Sequence, residues 1–141
     1  LVVEDPVIPP GPTTLELLFP PLAERLPISV LAVRRVDLAR AVSTPLRVPA
    51  GARTLGGIDG LYFHAGALIG VQNILGRGRV WRLPVAADGS LSAAEILETG
   101  RADYQNPTTG TFADGDFYYL ANPRSRHGEP LRLLRLPLAR S

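Results

Sequence analysis

The segment RVWRLPV at residues 79–85 returns as RLLRLPL at 132–138, and AVRRVDL at 32–38 keeps Val33, Arg35, Val36 and Leu38 in the same register. An alternation of this kind, closed by proline, reads as a strand that stops where a backbone donor is expendable. The repetition extends beyond this phrase. GLYFHAGALIGVQN at 60–73 is matched by GTFADGDFYYLAN at 110–122, so that Gly110 falls on Gly60, Gly115 on Gly66 and Asn122 on Asn73, with one residue of difference in the first strand. Arg35 to Arg82 is 47 positions and Arg82 to Arg135 is 53. A period near fifty constrains the fold more than any other feature. Each unit holds about four short strands, which cannot bury both faces of a sheet alone, so the units must stack.

Within one unit the punctuation is regular. LYFH, the turn AG and ALIGVQN make a hairpin, and the glycine-rich ILGRG leads into RVWRLPV. The turn AADGS follows, where Asp-Gly tolerates the positive φ that tight hairpins need. LSAAEILE suits a strand or a short helix on propensity, and its place between turns favours a strand. Fourteen prolines and fourteen glycines leave little room for long helices. The chain is therefore expected to be an all-β single domain, β-propeller-like, with about three four-stranded antiparallel blades of a partial or truncated six-bladed ring. Residues 1–27 are a proline-rich segment whose TTLELLF or LVVEDPVI can close the last blade, 28–57 a partial blade, 58–98 a complete one and 108–141 the last. In the repeated strand, Trp81, Leu83 and Val85 should face one neighbouring sheet, and Val80 and Arg82 the other. The arginines read as structural positions rather than as a basic motif.

Composition excludes several classes. A net charge of +2 is too small to argue for nucleic acid. The five arginines and His127 between Arg124 and Arg140 face only Glu129, but no aromatic side chains are interleaved for base stacking, and a solvated loop and strand face is expected. No run approaches eighteen apolar residues, so no membrane-spanning helix and no membrane partner are expected. Glu4, Asp5 and several prolines break any signal-peptide pattern at the start. Cysteine is absent, which removes disulfide and thiolate chemistry and leaves the compartment open. All fifteen basic residues are arginine, a sign of compositional bias, and methionine is absent. With Leu1 first and only about three repeat units, the chain reads as a fragment or truncated gene; the other expectation is a homodimer completing a six-bladed ring.

GIDGLYFHAGALIGVQN at 57–73, GRVWRLPVAADG at 78–89 and NPTTGTFADGDFYYLAN at 106–122 resemble, in that order, the regucalcin/gluconolactonase family of six-bladed propellers. The resemblance covers about residues 55–138. It implies a metal-dependent hydrolase of cyclic esters such as sugar lactones, acting on a lactone or sugar-acid ligand. It also implies one calcium, magnesium or manganese ion held by hard oxygen donors, with open positions for water and substrate. In that family a glutamate, two asparagines and the aspartate of the Asp-Gly pair hold the ion. Asp59 carries over as metal ligand and catalytic residue, and Glu4, in EDPV, echoes the glutamate. The asparagine ligands belong to middle blades that the chain lacks, so the ligand set is incomplete and activity can be lost with it.

Other readings stand beside these. Asp59-Gly60 is also an ordinary turn dipeptide. Asn73 and Asn122 are placed to line a channel mouth or to cap loops through side-chain hydrogen bonds, and capping outweighs lining. Thr108 and Thr109 fit turn chemistry better than substrate contact. His64 and His127 lie in or beside turns, and solvent exposure is expected for both. The alternative to the lactonase is a non-catalytic binding or assembly module of the same architecture.

Overall fold

The computed structural model describes residues 33–52, 54–74, 77–124 and 128–138. These form nine strands, β1 (Arg34–Asp37), β2 (Val42–Pro45), β3 (Ile58–His64), β4 (Ala67–Ile74), β5 (Arg77–Pro84), β6 (Glu95–Thr99), β7 (Gly110–Ala113), β8 (Asp116–Leu120) and β9 (Leu133–Leu136). They assemble into antiparallel sheets of two, four and three strands, ordered β1-β2, β3-β4-β5-β6 and β7-β8-β9. Each strand pairs with its neighbour in sequence, so every sheet is a meander. No helix occurs among the described residues, and none is therefore long and apolar enough to cross a membrane.

The two inner hairpins turn identically. Ala65 and Gly66 have φ of 45° and 72°, and Asp114 and Gly115 have 52° and 84°. Positive φ at both central residues is the turn whose twist matches paired strands. The second hairpin spends an aspartate there, which tolerates the region, whereas the first spends an alanine, which does not. LSAAEILE resolves as a strand from Glu95, preceded by an isolated bridge between Val85 and Leu91.

The four-stranded sheet is the middle layer and is buried on both faces. Leu68, Trp81 and Leu83 join Val33, Leu55 and Ile58 in one apolar cluster, with Val85 packed against it. Ile69, Val71 and Val80 join Phe117 and Tyr119 in a second, edged by Tyr62, Leu97 and Leu136. The alternation expected along RVWRLPV is thus realised, with Trp81 and Leu83 on one side and Val80 on the other. Leu68, Trp81, Leu83, Phe117 and Tyr119 are each at most 1% exposed. At about 1.5–3 kcal/mol for each large apolar side chain, the two clusters are what hold three small sheets together.

A buried polar clasp sits inside the first cluster. Gln72 is 0% exposed. It accepts from Trp81 Nε1 at 2.6 Å and donates to the carbonyls of Gly56 at 2.7 Å and Thr54 at 3.1 Å. The loop before β3 is thereby tied to the sheet through one amide whose capacity is well used.

The repeated arginines differ in their partners. Arg35 reaches forward to the Asp88 carbonyl at 2.7 Å, in the turn between β5 and β6 of the next sheet. Arg82 pairs with Glu95 of its own sheet at 3.7 Å and lines one cleft with Pro137 and Leu138, which follow β9. Arg135 has no later sheet among the described residues and pairs with Asp116 on its own sheet at 2.5 Å. Of the three, Arg35 alone ties its sheet to the next by a hydrogen bond among the described residues, while Arg82 and Arg135 have their charged partners within their own sheets.

Candidate functional site

Asp59 does not turn the chain. It is the second residue of β3, where the pairing slips: Ile58 lies opposite Gln72 and Gly60 opposite Val71, leaving Asp59 as the extra residue of a β-bulge. A bulge re-aims a side chain and ends regular pairing, and such irregularities cluster at functional edges. The Asp59 side chain is accordingly exposed at the end of the middle sheet. Gly60 serves a close approach instead of a turn, since a Cβ there would lie 2.7 Å from the Thr108 carbonyl oxygen.

The segment crossing that end is 104–109, which carries NPTT. Asn106 has φ of 59°, and Pro107 is fully buried. Two side chains of the middle sheet pin it. Asn73 Nδ2 donates to the Pro107 carbonyl at 2.7 Å. Tyr62 Oη accepts from the Gly110 amide at 2.7 Å and bonds the Thr109 hydroxyl at 2.9 Å. The Thr108 amide donates to the Leu120 carbonyl at 3.1 Å, so the segment is fastened to β8 as well. Gly78 completes the seat, because a Cβ there would meet Pro107 at 2.4 Å and Tyr104 at 2.7 Å.

Asn73 and Asp59 meet at this point. The same Nδ2 that holds Pro107 donates to Asp59 Oδ2 at 3.1 Å. The Asn73 Oδ1 is buried and has no hydrogen-bond partner. With two acceptors facing the amide nitrogen, the orientation of the group is settled by its neighbours, and the orphaned oxygen is the cost, about 1–3 kcal/mol for a buried acceptor. Asp59 is exposed, and its Oδ1 takes no hydrogen bond among the described residues.

Asn122 shares Asn73's place in the repeat but not its surroundings. It is 2% exposed, donates to the Pro130 carbonyl at 3.0 Å and accepts from the Arg132 amide at 2.5 Å. Both ends of its amide close the loop between β8 and β9, which is capping. It does not approach Asp59. Glu4 and His127 lie outside the described residues. His64, the last residue of β3, is half-buried and stacks on Phe112 with ring centroids 4.4 Å apart, contrary to the solvent exposure expected for it.

A second polar cluster joins the last two sheets. Tyr119 donates to Glu98 at 2.5 Å and bonds Tyr104 at 2.8 Å, while Arg101 bridges Glu98 and Asp103, and Arg132 also reaches Asp103. Burial and the bonds to Glu98 and Tyr104 push the Tyr119 phenol well above its ordinary value, and burial raises Tyr104 as well. The Arg132 and Arg101 guanidinium groups hold Asp103 below the usual carboxylate range. Every member is satisfied within the cluster, which marks it as a tie between sheets.

Donor chemistry at Asp59 bears on the ion that the family resemblance implies. Oδ1 is a hard, exposed oxygen of the right kind, but a calcium-like ion takes six to eight oxygens. Among the described residues no group of three or more His, Cys, Asp or Glu converges, and Asn73 turns its nitrogen, not its oxygen, toward the aspartate. The described residues thus offer at most one donor oxygen to such a site and do not form one by themselves.

Compared with family models, with curated proteins and with solved structures, the chain matches none.

Proposed function

We propose that this chain is a module of a lactonase-like β-propeller, its sheets being successive blades and Asp59 its cation ligand and reactive carboxylate. The observation that carries the reading is the bulge that lifts Asp59 out of the ladder, with Oδ2 held by Asn73 and Oδ1 taking no hydrogen bond among the described residues. The blade reading draws support from the repeated register, the meander order and the apolar burial on both faces of the middle sheet. A bound divalent ion would polarise the carbonyl of a cyclic ester. This chain's own contribution is to present one oriented carboxylate; the remaining donors fall to water, substrate and residues outside the described set, Glu4 among them, or to a second copy. The ligand class is a lactone or sugar acid, and the ion calcium, magnesium or manganese.

The test is calorimetric titration of the full chain with each of the three ions, followed by a pH-indicator assay of sugar-lactone hydrolysis. Ion-dependent hydrolysis that falls at least about a hundredfold in Asp59→Asn, on the scale of losing one directed charge stabiliser, supports the proposal. Absence of ion binding by the unaltered chain refutes it.

A second reading, a non-catalytic assembly module, is favoured by one observation. The face of β7–β9 turned away from the middle sheet carries Tyr118, Leu120 and Leu133, the last 65% exposed. A monodisperse dimer by light scattering, without ion binding, is its expected signature.

A further inference from the structure

At the other end of β3 from Asp59, roughly 16 Å away at the usual rise per strand residue, the middle and last sheets splay apart around a cleft of about 260 Å³. Ile69 and Leu97 from the middle sheet, with Pro137 and Leu138 from the segment after β9, make its apolar walls. Three polar side chains converge on its mouth: His64, Arg82 and Glu95. Their placement follows from register: His64 is two residues beyond Tyr62, which lies opposite Ile69, while Ile69 lies opposite Arg82 and Arg82 opposite Glu95, so His64, Arg82 and Glu95 project from one face.

The polar groups are underused. Arg82 and Glu95 form an ion pair at 3.7 Å, partly exposed to solvent and too long for a hydrogen bond between them. Neither Arg82 nor the His64 ring makes a hydrogen bond among the described residues, and stacking on Phe112 holds the imidazole in place. A guanidinium and a carboxylate thus stand side by side, each with free capacity, above an apolar floor. A simple anion would gain from Arg82 and lose against Glu95. A zwitterion would satisfy both. The volume lies just below the range of about 300–1,000 Å³ typical of drug-sized ligands, which limits the occupant to a small molecule.

We infer that this cleft is a binding site for a free aliphatic α-amino acid of about leucine's size. The ligand carboxylate meets Arg82 and His64, its ammonium meets Glu95, and its side chain enters between Ile69, Leu97 and Leu138. The inference does not depend on Asp59 or on any ion.

The experiment is amide NMR titration of the full chain with L-leucine, 4-methylpentanoate, which lacks the ammonium, and 3-methylbutylamine, which lacks the carboxylate. Leucine should shift the amides of His64 to Ile69, Arg82 and Glu95 to Leu97 in a saturable way. Each truncated analogue should bind about tenfold more weakly, the scale of one charge-assisted hydrogen bond. Arg82→Gln and Glu95→Gln should each weaken leucine to a similar degree, and Glu95→Gln should strengthen 4-methylpentanoate. Unchanged Trp81 emission certifies that both variants fold. Leucine shifts that are absent, unsaturable or centred elsewhere overturn the inference, as does 4-methylpentanoate binding as well as leucine.

Discussion

Replacing Gln72 with leucine keeps the volume of a fully buried side chain while deleting the clasp between the middle sheet and the 54–56 loop. Two of its hydrogen bonds are buried, those from Trp81 Nε1 and to the Gly56 carbonyl. The third, to the Thr54 carbonyl, is part-buried and open to replacement by water. Orphaning a buried donor or acceptor costs about 1–3 kcal/mol. Gln72→Leu should therefore destabilise the chain by about 2–5 kcal/mol, a large share of the roughly 5–15 kcal/mol that a domain possesses. Trp81 is the only tryptophan and is 1% exposed, so its emission reports unfolding from inside the affected cluster. Urea titration followed by that emission should show a lower midpoint with an unchanged slope. A companion cycle with Trp81→Phe, followed by circular dichroism, should return a coupling of about 0.5–3 kcal/mol, as for residues in direct contact. A loss below about 1 kcal/mol, less than one orphaned group, or simple additivity in the cycle would refute the reasoning.

Other expectations follow from local geometry. Ala65→Asn places a residue that tolerates positive φ at the first turn position and should stabilise by about 0.5–1 kcal/mol, read as a higher Tm. Gly78→Ala drives a Cβ toward the Pro107 ring and should cost about 1–3 kcal/mol by overpacking, with amide shifts concentrated in 104–109. Tyr104 and Tyr119 have pKa values raised on folding, so the stability they contribute is intact below about pH 10, where the unfolded phenols ionise, and is lost as pH rises further. Denaturation at stepped alkaline pH should show stability falling by up to about 1.4 kcal/mol per pH unit for each tyrosine. Tyr119→Phe should flatten that fall.

Much of the architecture was legible because strand alternation and turn chemistry are local. The hairpin through Ala65-Gly66, the faces of Trp81 and Val80, and the strand that ends at Pro84 all follow from neighbours in sequence. The setting of Asp59 was not legible, for a physical reason. Asp-Gly is the commonest signature of a tight turn, and whether it bulges in a strand instead depends on the register between β3 and β4. That register is shared with the 104–109 segment, whose Pro107 and Thr108 lie more than forty residues away. Gln72 misleads similarly, since a polar residue in an apolar strand reads as solvent-facing. Here its partners come from a loop that the strand pattern does not describe. Asn73 and Asn122 show the limit of repeat logic: equal positions placed one amide against an aspartate and closed a loop with the other.

The forward reach of Arg35 gives the first two sheets a polarity, a leading face that hands an arginine on and a trailing face that receives it. Arg135 stands on the corresponding face of the third sheet, where among the described residues it bonds Asp116. Two copies meeting by a twofold axis through that face would set two donors against each other. A further unit, or a second copy, that received Arg135 as the β5–β6 turn receives Arg35 would join head to tail, a heterologous contact that either closes a ring or continues as a filament. A contact at Arg135 built like the one Arg35 makes would therefore be directional, with one face giving the donor and a different face receiving it.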